Sequence, residues 1–183
     1  MRLNVRFAGA GGQGVILSSV LLAKAYGLGE NFNIAHTQSY GPEARGGACK
    51  AELVISDKDI DYMKVDDVDV FIAYNQKGYD KYCTNLEERS IVLVNGTLVK
   101  TINKEYYQLP GTAIAEEMSR PQAVNMIMLG ALTKLLPKLH YDKVIDVIKE
   151  GFSDSMAIDN MEAFDKGYRY MEQELEAREK KES

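Results

Sequence analysis

The chain has 183 residues, of which 45% are hydrophobic and 27% charged, with a formal net charge of -5. That composition fits one globular domain with a sizeable core, and the acidic balance, without any Lys/Arg cluster, excludes an electrostatic footprint for nucleic acid. The opening residues alternate as a strand does instead of forming a signal peptide's apolar core, and no run approaches the roughly 20 residues of a membrane span, so a cytoplasmic protein with no membrane contact is expected.

The first predicted element is a strand from Leu3 to Ala8, where Leu3, Val5 and Phe7 alternate with Arg2, Asn4 and Arg6. One face of this strand should be less covered than those of Val68 to Tyr74. It leads into "GAGGQG", in which Gly9, Gly11 and Gly14 satisfy G-x-G-x-x-G, and then into an apolar run from Val15 to Ala25 that reads as a helix. A strand that turns at once into a helix needs torsions and close approaches that a Cβ obstructs, and the helix end presents free N–H groups and a positive dipole. Such an end suits an anion. A dinucleotide enzyme also carries an acid about 20 residues further on to hold the ribose. Here that region reads "FNIAHTQSYG", with no Asp or Glu before Glu43, which disfavours ordinary NAD binding. A tight strand-to-helix turn without a ligand is the plain alternative.

"NFNIAHTQSY" is a second strand ending in a polar loop, and "CKAELVIS" (Cys49 to Ser56) a third, approached by the hairpin-like "EARGGAC" and read as an antiparallel addition. Between them lies "TQSYGPEARGGAC". Gly46 and Gly47 permit a close backbone approach, and Arg45 offers a planar, permanently charged fork for a phosphate or carboxylate. The alternative is a solvent-exposed hairpin in which Arg45 pairs with Glu43.

"VDVFIAYN" and "SIVLVNG" are nearly continuous aliphatic runs, as in parallel strands covered on both faces, with a short amphipathic crossing around Tyr79 to Leu86. "SRPQAVNMIMLGALTKLLP" has start signals at Ser119 and Pro121, a stop at Pro137 and apolar residues nearly all round, so it is a buried helix. "YDKVIDVIKEG" is a further helix. Met161, Phe164, Tyr168, Met171 and Leu175 then form a seam on one helix face, to pack on the domain or on a partner, and the final "EAREKKES" should be frayed. The expected fold is therefore α/β and Rossmann-like, a mainly parallel mixed sheet flanked by helices. Residues 1–183 form one domain, with 152–183 a C-terminal helical extension. Cys49 and Cys83 form no C-x-x-C pair and read as buried thiols, while His36 and His140 read as solvated or hydrogen-bonded imidazoles; no metal site follows.

"GAGGQGV", then "TQSYGPEARGG", then "AELVIS", continuing through "DVFIAYN" and "NMIMLGAL", resembles the gamma subunit, or gamma domain, of the 2-oxoacid:ferredoxin oxidoreductases acting on pyruvate, 2-oxoglutarate, 2-oxoisovalerate or indolepyruvate. The resemblance implies an accessory role in a multisubunit enzyme that oxidatively decarboxylates a 2-oxoacid with coenzyme A, giving an acyl-CoA and carbon dioxide and passing electrons to ferredoxin. It implies that thiamine diphosphate, magnesium and iron–sulfur clusters belong to partner subunits, and that coenzyme A is a shared co-substrate. This chain has neither a Gly-Asp-Gly diphosphate motif nor a cluster-ligating cysteine run, so it should hold no cofactor alone and be inactive alone. The residues then expected to face coenzyme A or a neighbouring subunit are Gly9, Gly11, Gly12, Gln13 and Gly14 in the first loop, and Tyr40, Gly41, Pro42, Glu43, Arg45, Gly46 and Gly47 in the second. A free-standing nucleotide-binding oxidoreductase is the alternative reading, disfavoured by the missing second-strand acid.

Overall fold

The computed structural model describes residues 1–41, 47–103 and 105–182. Six strands form one sheet: β1 (Arg2–Ala10), β2 (Asn33–Tyr40), β3 (Ala48–Ser56), β4 (Val68–Ala73), β5 (Leu86–Asn95) and β6 (Tyr107–Leu109), in the spatial order β2-β3-β1-β4-β5-β6. β1, β4, β5 and β6 are mutually parallel, and β3 is antiparallel to both β1 and β2. The sheet is thus mixed and mainly parallel, as the aliphatic runs of β4 and β5 require. β3 is antiparallel as expected, but it lies inside the sheet, between β2 and β1.

The helices are α1 (Val15–Lys24), continued by a π-helical turn at Ala25–Gly29, α2 (Gln76–Tyr82), α3 (Gly111–Glu117), α4 (Val124–Leu135), α5 (Tyr141–Gly151) and α6 (Asp154–Glu182). One face of the sheet carries the larger core, in which Leu21 of α1, Met126 and Leu129 of α4, Ile148 of α5 and Phe164 of α6 pack on Val5, Phe7, Leu53 and Ile72. The other face is covered by α2 through Tyr79, with Phe71, Val92 and Val94 beneath.

The Met161–Leu175 seam closes on the domain. Phe164 and Met171 are buried, and Tyr141, Phe164 and Tyr168 form an aromatic cluster with ring centres 4.9–6.3 Å apart. α4 and α6 cross with their backbones touching at Gly130 and Gly167.

Three local expectations are corrected. The polar side of β1 is not open at Arg6: its guanidinium is buried against Glu52 of β3 and donates to the Tyr82 and Thr84 carbonyls at the end of α2. The last stretch does not fray before Glu182, because Arg178 reaches back from α6 to the Tyr106 carbonyl and the ring of Tyr107. Cys83 is only half-buried, whereas Cys49 is buried and its thiol pKa is pushed up by loss of solvent.

Candidate functional site at the glycine turn

β1 ends at the carboxyl edge of the sheet, and only four residues separate it from α1. Gly12 and Gly14 make this possible with φ of +89° and +73°, in the left-handed region where a side chain is strained. Gly14 is the N-cap residue of α1 and offers no side chain to cap it. Gln13 closes the turn instead: its N–H donates to the Ala10 carbonyl at 3.2 Å, while its Oε1 accepts from the Ala10 N–H at 2.8 Å and from Asn75 Nδ2 at 2.6 Å. With Oε1 so occupied, the Gln13 NH2 has no protein acceptor among the described residues and remains available to a ligand.

Asn75 in turn caps α2, its Oδ1 accepting from the Gly78 N–H at 2.7 Å. Asn95, at the end of β5, donates to the Tyr74 carbonyl at 3.2 Å and to Thr112 Oγ1 at 2.8 Å. Polar residues closing the buried strands β4 and β5 therefore build a row of amides along the edge where α/β folds bind ligands. Behind the turn, the wholly buried Tyr74 hydroxyl donates to Ser18 Oγ at 2.8 Å, and Ser18 to the Asn125 carbonyl at 3.3 Å. This chain fixes the start of α4 against the first turn of α1. Burial holds the Tyr74 phenol far above its ordinary pKa, so it stays a neutral donor.

The outcome is a convergence of two helix N-termini. Asn125, the second residue of α4, packs its side chain so closely against Gly14 that a Cβ there would lie 2.7 Å from it. Asn125 is 6% exposed, and its amide has no hydrogen-bond partner among the described residues. Neither α1 nor α4 has an acidic residue in its first turn. Two positive dipole ends thus meet at a glycine turn without a neutralising carboxylate, an arrangement that suits an anion.

Shallow concavities flank the turn. One, of about 190 Å³, is lined by Gly12, Gln13, Leu98, Thr112 and Gln122. The other, of about 300 Å³, runs from Gly11, Gly12 and Gly14 past Leu17 to Tyr40, with Cys49 among its lining residues. Gly9, by contrast, is buried at the end of β1 between Val15, Gln13 and Tyr74 and serves packing. In the second loop, Tyr40 is 63% exposed and Gly41 donates its N–H to the Ala48 carbonyl at 3.1 Å, with Gly47 just before β3. Pro42, Glu43, Arg45 and Gly46 lie outside the described residues. Sequence reasoning missed Asn75, Asn95 and Asn125; for the first two, the available signal was a polar residue closing each aliphatic run. Among the described residues no three His, Cys, Asp or Glu side chains are grouped to hold a metal ion, and no helix is long and apolar enough to cross a membrane.

Known proteins match most of the chain. The family model for pyruvate ferredoxin/flavodoxin oxidoreductase matches residues 4–170. The chain is 42% identical to the 2-oxoglutarate synthase subunit KorC of Methanocaldococcus jannaschii, over 92% of this chain and 93% of that one. It is 38% identical to the KorC subunit of Archaeoglobus fulgidus, over 91% and 86% respectively. Its fold superposes on the gamma subunit of a keto/oxoacid ferredoxin oxidoreductase from Geobacter sulfurreducens with a TM-score of 0.82 and 30% identity, covering 92% of this chain and 95% of the other. It also superposes, at a TM-score of 0.85 and 24% identity, on 31% of a chain of the 2-oxoglutarate:ferredoxin oxidoreductase from Magnetococcus marinus, solved with 2-oxoglutarate, coenzyme A and succinyl-CoA bound. Matched by the family model over residues 4–170, by identity over nine-tenths of its length and by superposition of its fold, the chain belongs to the pyruvate ferredoxin/flavodoxin oxidoreductase family and is a homologue of its gamma subunits.

Proposed function

We propose that this chain is the gamma subunit of a 2-oxoacid:ferredoxin oxidoreductase complex in which a 2-oxoacid and coenzyme A become an acyl-CoA and carbon dioxide, two electrons leaving to ferredoxin. The observation that carries this reading is the 42% identity to a 2-oxoglutarate synthase subunit across more than nine-tenths of both chains. Identity to a pyruvate synthase subunit is 32% and to a ketoisovalerate oxidoreductase subunit 31%, which favours 2-oxoglutarate as the substrate. Thiamine diphosphate, magnesium and the iron–sulfur clusters are assigned to the other subunits, ferredoxin meets the assembled complex, and the complex is cytoplasmic. Residues 1–183 act as one gamma-type domain, with 152–183 its C-terminal helical extension.

Within that complex, the glycine turn and the Tyr40–Gly47 loop face the shared active site and receive coenzyme A. The two helix ends at Gly14 and Asn125, with the free amide of Gln13, are donors suited to a diphosphate, and they need no charge of their own to attract one. Arg45 supplies the fixed positive charge, as a fork able to make two parallel bonds to an anionic group.

The test is reconstitution. The chain purified alone should be colourless and without turnover; co-expressed with the larger subunits it should co-purify with 2-oxoglutarate-dependent, coenzyme A-dependent reduction of ferredoxin. In that complex Arg45→Ala should raise the KM for coenzyme A by about tenfold or more, the loss of roughly 1.4 kcal/mol of binding, while the isolated chain's unfolding is unchanged. Turnover by the single chain would overturn the subunit reading. Normal assembly with unaltered coenzyme A kinetics would overturn the site.

A further inference from the structure

α3 closes on Ser119, which stands at φ +56°, in the left-handed region that glycine adopts without strain and serine does not. The turn follows the glycine pattern nonetheless: the Ser119 N–H donates to the Glu116 carbonyl and the Arg120 N–H to that of Ala115, both at 2.9 Å. Backbone strain of this kind persists where the surroundings over-determine it, and here a second tie does so. Arg120 Nη2 lies 2.8 Å from Asp159 Oδ1 and Nη1 2.6 Å from Glu162 Oε2, two carboxylates three residues apart on one face of α6. The Arg120 carbonyl in turn accepts from the Ala123 N–H at 2.9 Å. One residue thus ends α3, starts the approach to α4 and grips α6.

The residues after Arg120 are a wall of the candidate site. Pro121 has a fixed φ, Gln122 and Val124 line the concavity of about 190 Å³ beside Gly12 and Gln13, and Asn125 touches Gly14. Gln122 also lines a smaller concavity with Met156 and Asp159, so it stands as the ridge between α6 and the glycine turn. Its side chain is exposed and has no hydrogen-bond partner among the described residues, so its backbone alone places the ridge. α6 crosses α4 further along, at Gly130 and Gly167, which fixes the body of α4 and leaves its entry to Arg120.

We propose that Arg120 is a positioning residue for ligand binding: by clamping the turn to Asp159 and Glu162 it sets the Pro121–Asn125 wall against the glycine turn, and so gives the C-terminal helix a part in the affinity for coenzyme A. With coenzyme A bound at the glycine turn, the reading on which this rests, Arg120 itself touches no ligand, because its fork is committed to α6. Arg120 is 30% exposed and each carboxylate 53%, and ion pairs so open to water add little to stability. Losing this one therefore separates position from folding.

In the reconstituted complex, Arg120→Leu should raise the KM for coenzyme A by about three- to thirtyfold, with kcat at saturating coenzyme A unchanged. The isolated chain's Tm should fall by under about 4 °C. Asp159→Asn/Glu162→Gln cuts the same tie from α6 and should raise the KM alike, and the triple variant should raise it no further. Additive effects, or a KM that the α6 variant leaves unchanged, would make Arg120 a direct ligand of an anion and overturn the positioning role. Arg120→Lys keeps the charge but not the fork, so it should give an intermediate KM even if the leucine variant fails to assemble. Without coenzyme A, hydrogen exchange over residues 119–125 should be faster in the Arg120→Leu chain and unchanged in β4; equal protection of that segment in both chains also overturns the role. Arg45→Ala separates the two readings. A complex in which Arg45→Ala raises the KM and Arg120→Leu does not retains the site and loses the tie, and one in which neither does loses both.

Discussion

Gly130→Ala should be among the most damaging single-methyl additions to this chain, and Gly167→Ala its equal. At each position the added Cβ falls on backbone: on the Phe164 carbonyl oxygen from Gly130, and on the Ile127 carbonyl oxygen from Gly167. Neither neighbour is a side chain that can rotate away, so the two helices must separate and open the packing of Met126, Phe164 and Met171. Overpacking of a tight core costs about 1–3 kcal/mol and more when backbone must move; we expect about 3 kcal/mol or more, a fall in Tm of about 6–12 °C for a domain of this size. The sign makes the test sharp, because glycine to alanine inside a helix otherwise gains about 1 kcal/mol. Thermal unfolding followed by circular dichroism measures it, with Gly11→Ala, where a Cβ meets nothing within 4 Å, as the neutral control. The double variant should lose less than the sum, since both methyls wedge the same crossing. A Gly130→Ala chain as stable as wild type would show that the helices do not touch there.

These two glycines also mark where sequence reading stops. In "NMIMLGAL" the glycine reads as a small propensity cost inside a helix, and nothing local tells that another helix approaches it. The turn at Gly9–Gly14 was legible because its causes are local: an alternating strand, glycines where φ must be positive, then an apolar helix. The parallel core was legible because strands covered on both faces must be aliphatic throughout, and β3 was legible as antiparallel from its hairpin approach. Its position inside the sheet was not, since the alternation of Lys50 and Glu52 with Ala51 and Leu53 is also what an edge strand shows. In the candidate site, local signals revealed the turn and Tyr40, but not Asn125, which is 111 residues from Gly14 and reaches it only after the whole sheet has formed. For Arg45 no geometry enters at all, and its role rests on the chemistry of a guanidinium beside two glycines.

The Arg6–Glu52 pair was hidden for the same reason, and it carries the second large effect. Both residues alternate with apolar neighbours and read as solvent-facing, yet Arg6 is 4% and Glu52 8% exposed, with Nε and Oε1 2.6 Å apart. Arg6 also donates to the Tyr82 and Thr84 carbonyls at 3.1 and 2.8 Å, and Lys50 Nζ lies 2.8 Å from Glu52 Oε2. The pair therefore ties β1 and β3 to the end of α2, the helix whose other end holds Gln13 through Asn75. Removing one partner strands a buried charge: Arg6→Met should cost about 3–5 kcal/mol, and Glu52→Leu should cost less than that but more than 1, because the carbonyls still bind the guanidinium. Arg6→Met/Glu52→Leu together removes both charges and fills the space with apolar atoms, so it should recover to within about 1–2 kcal/mol of wild type. Urea unfolding of the four proteins closes the cycle. Single variants that each lose under about 1 kcal/mol, the range of an exposed pair, would mean that water reaches this contact and that α2 is held by its apolar face alone.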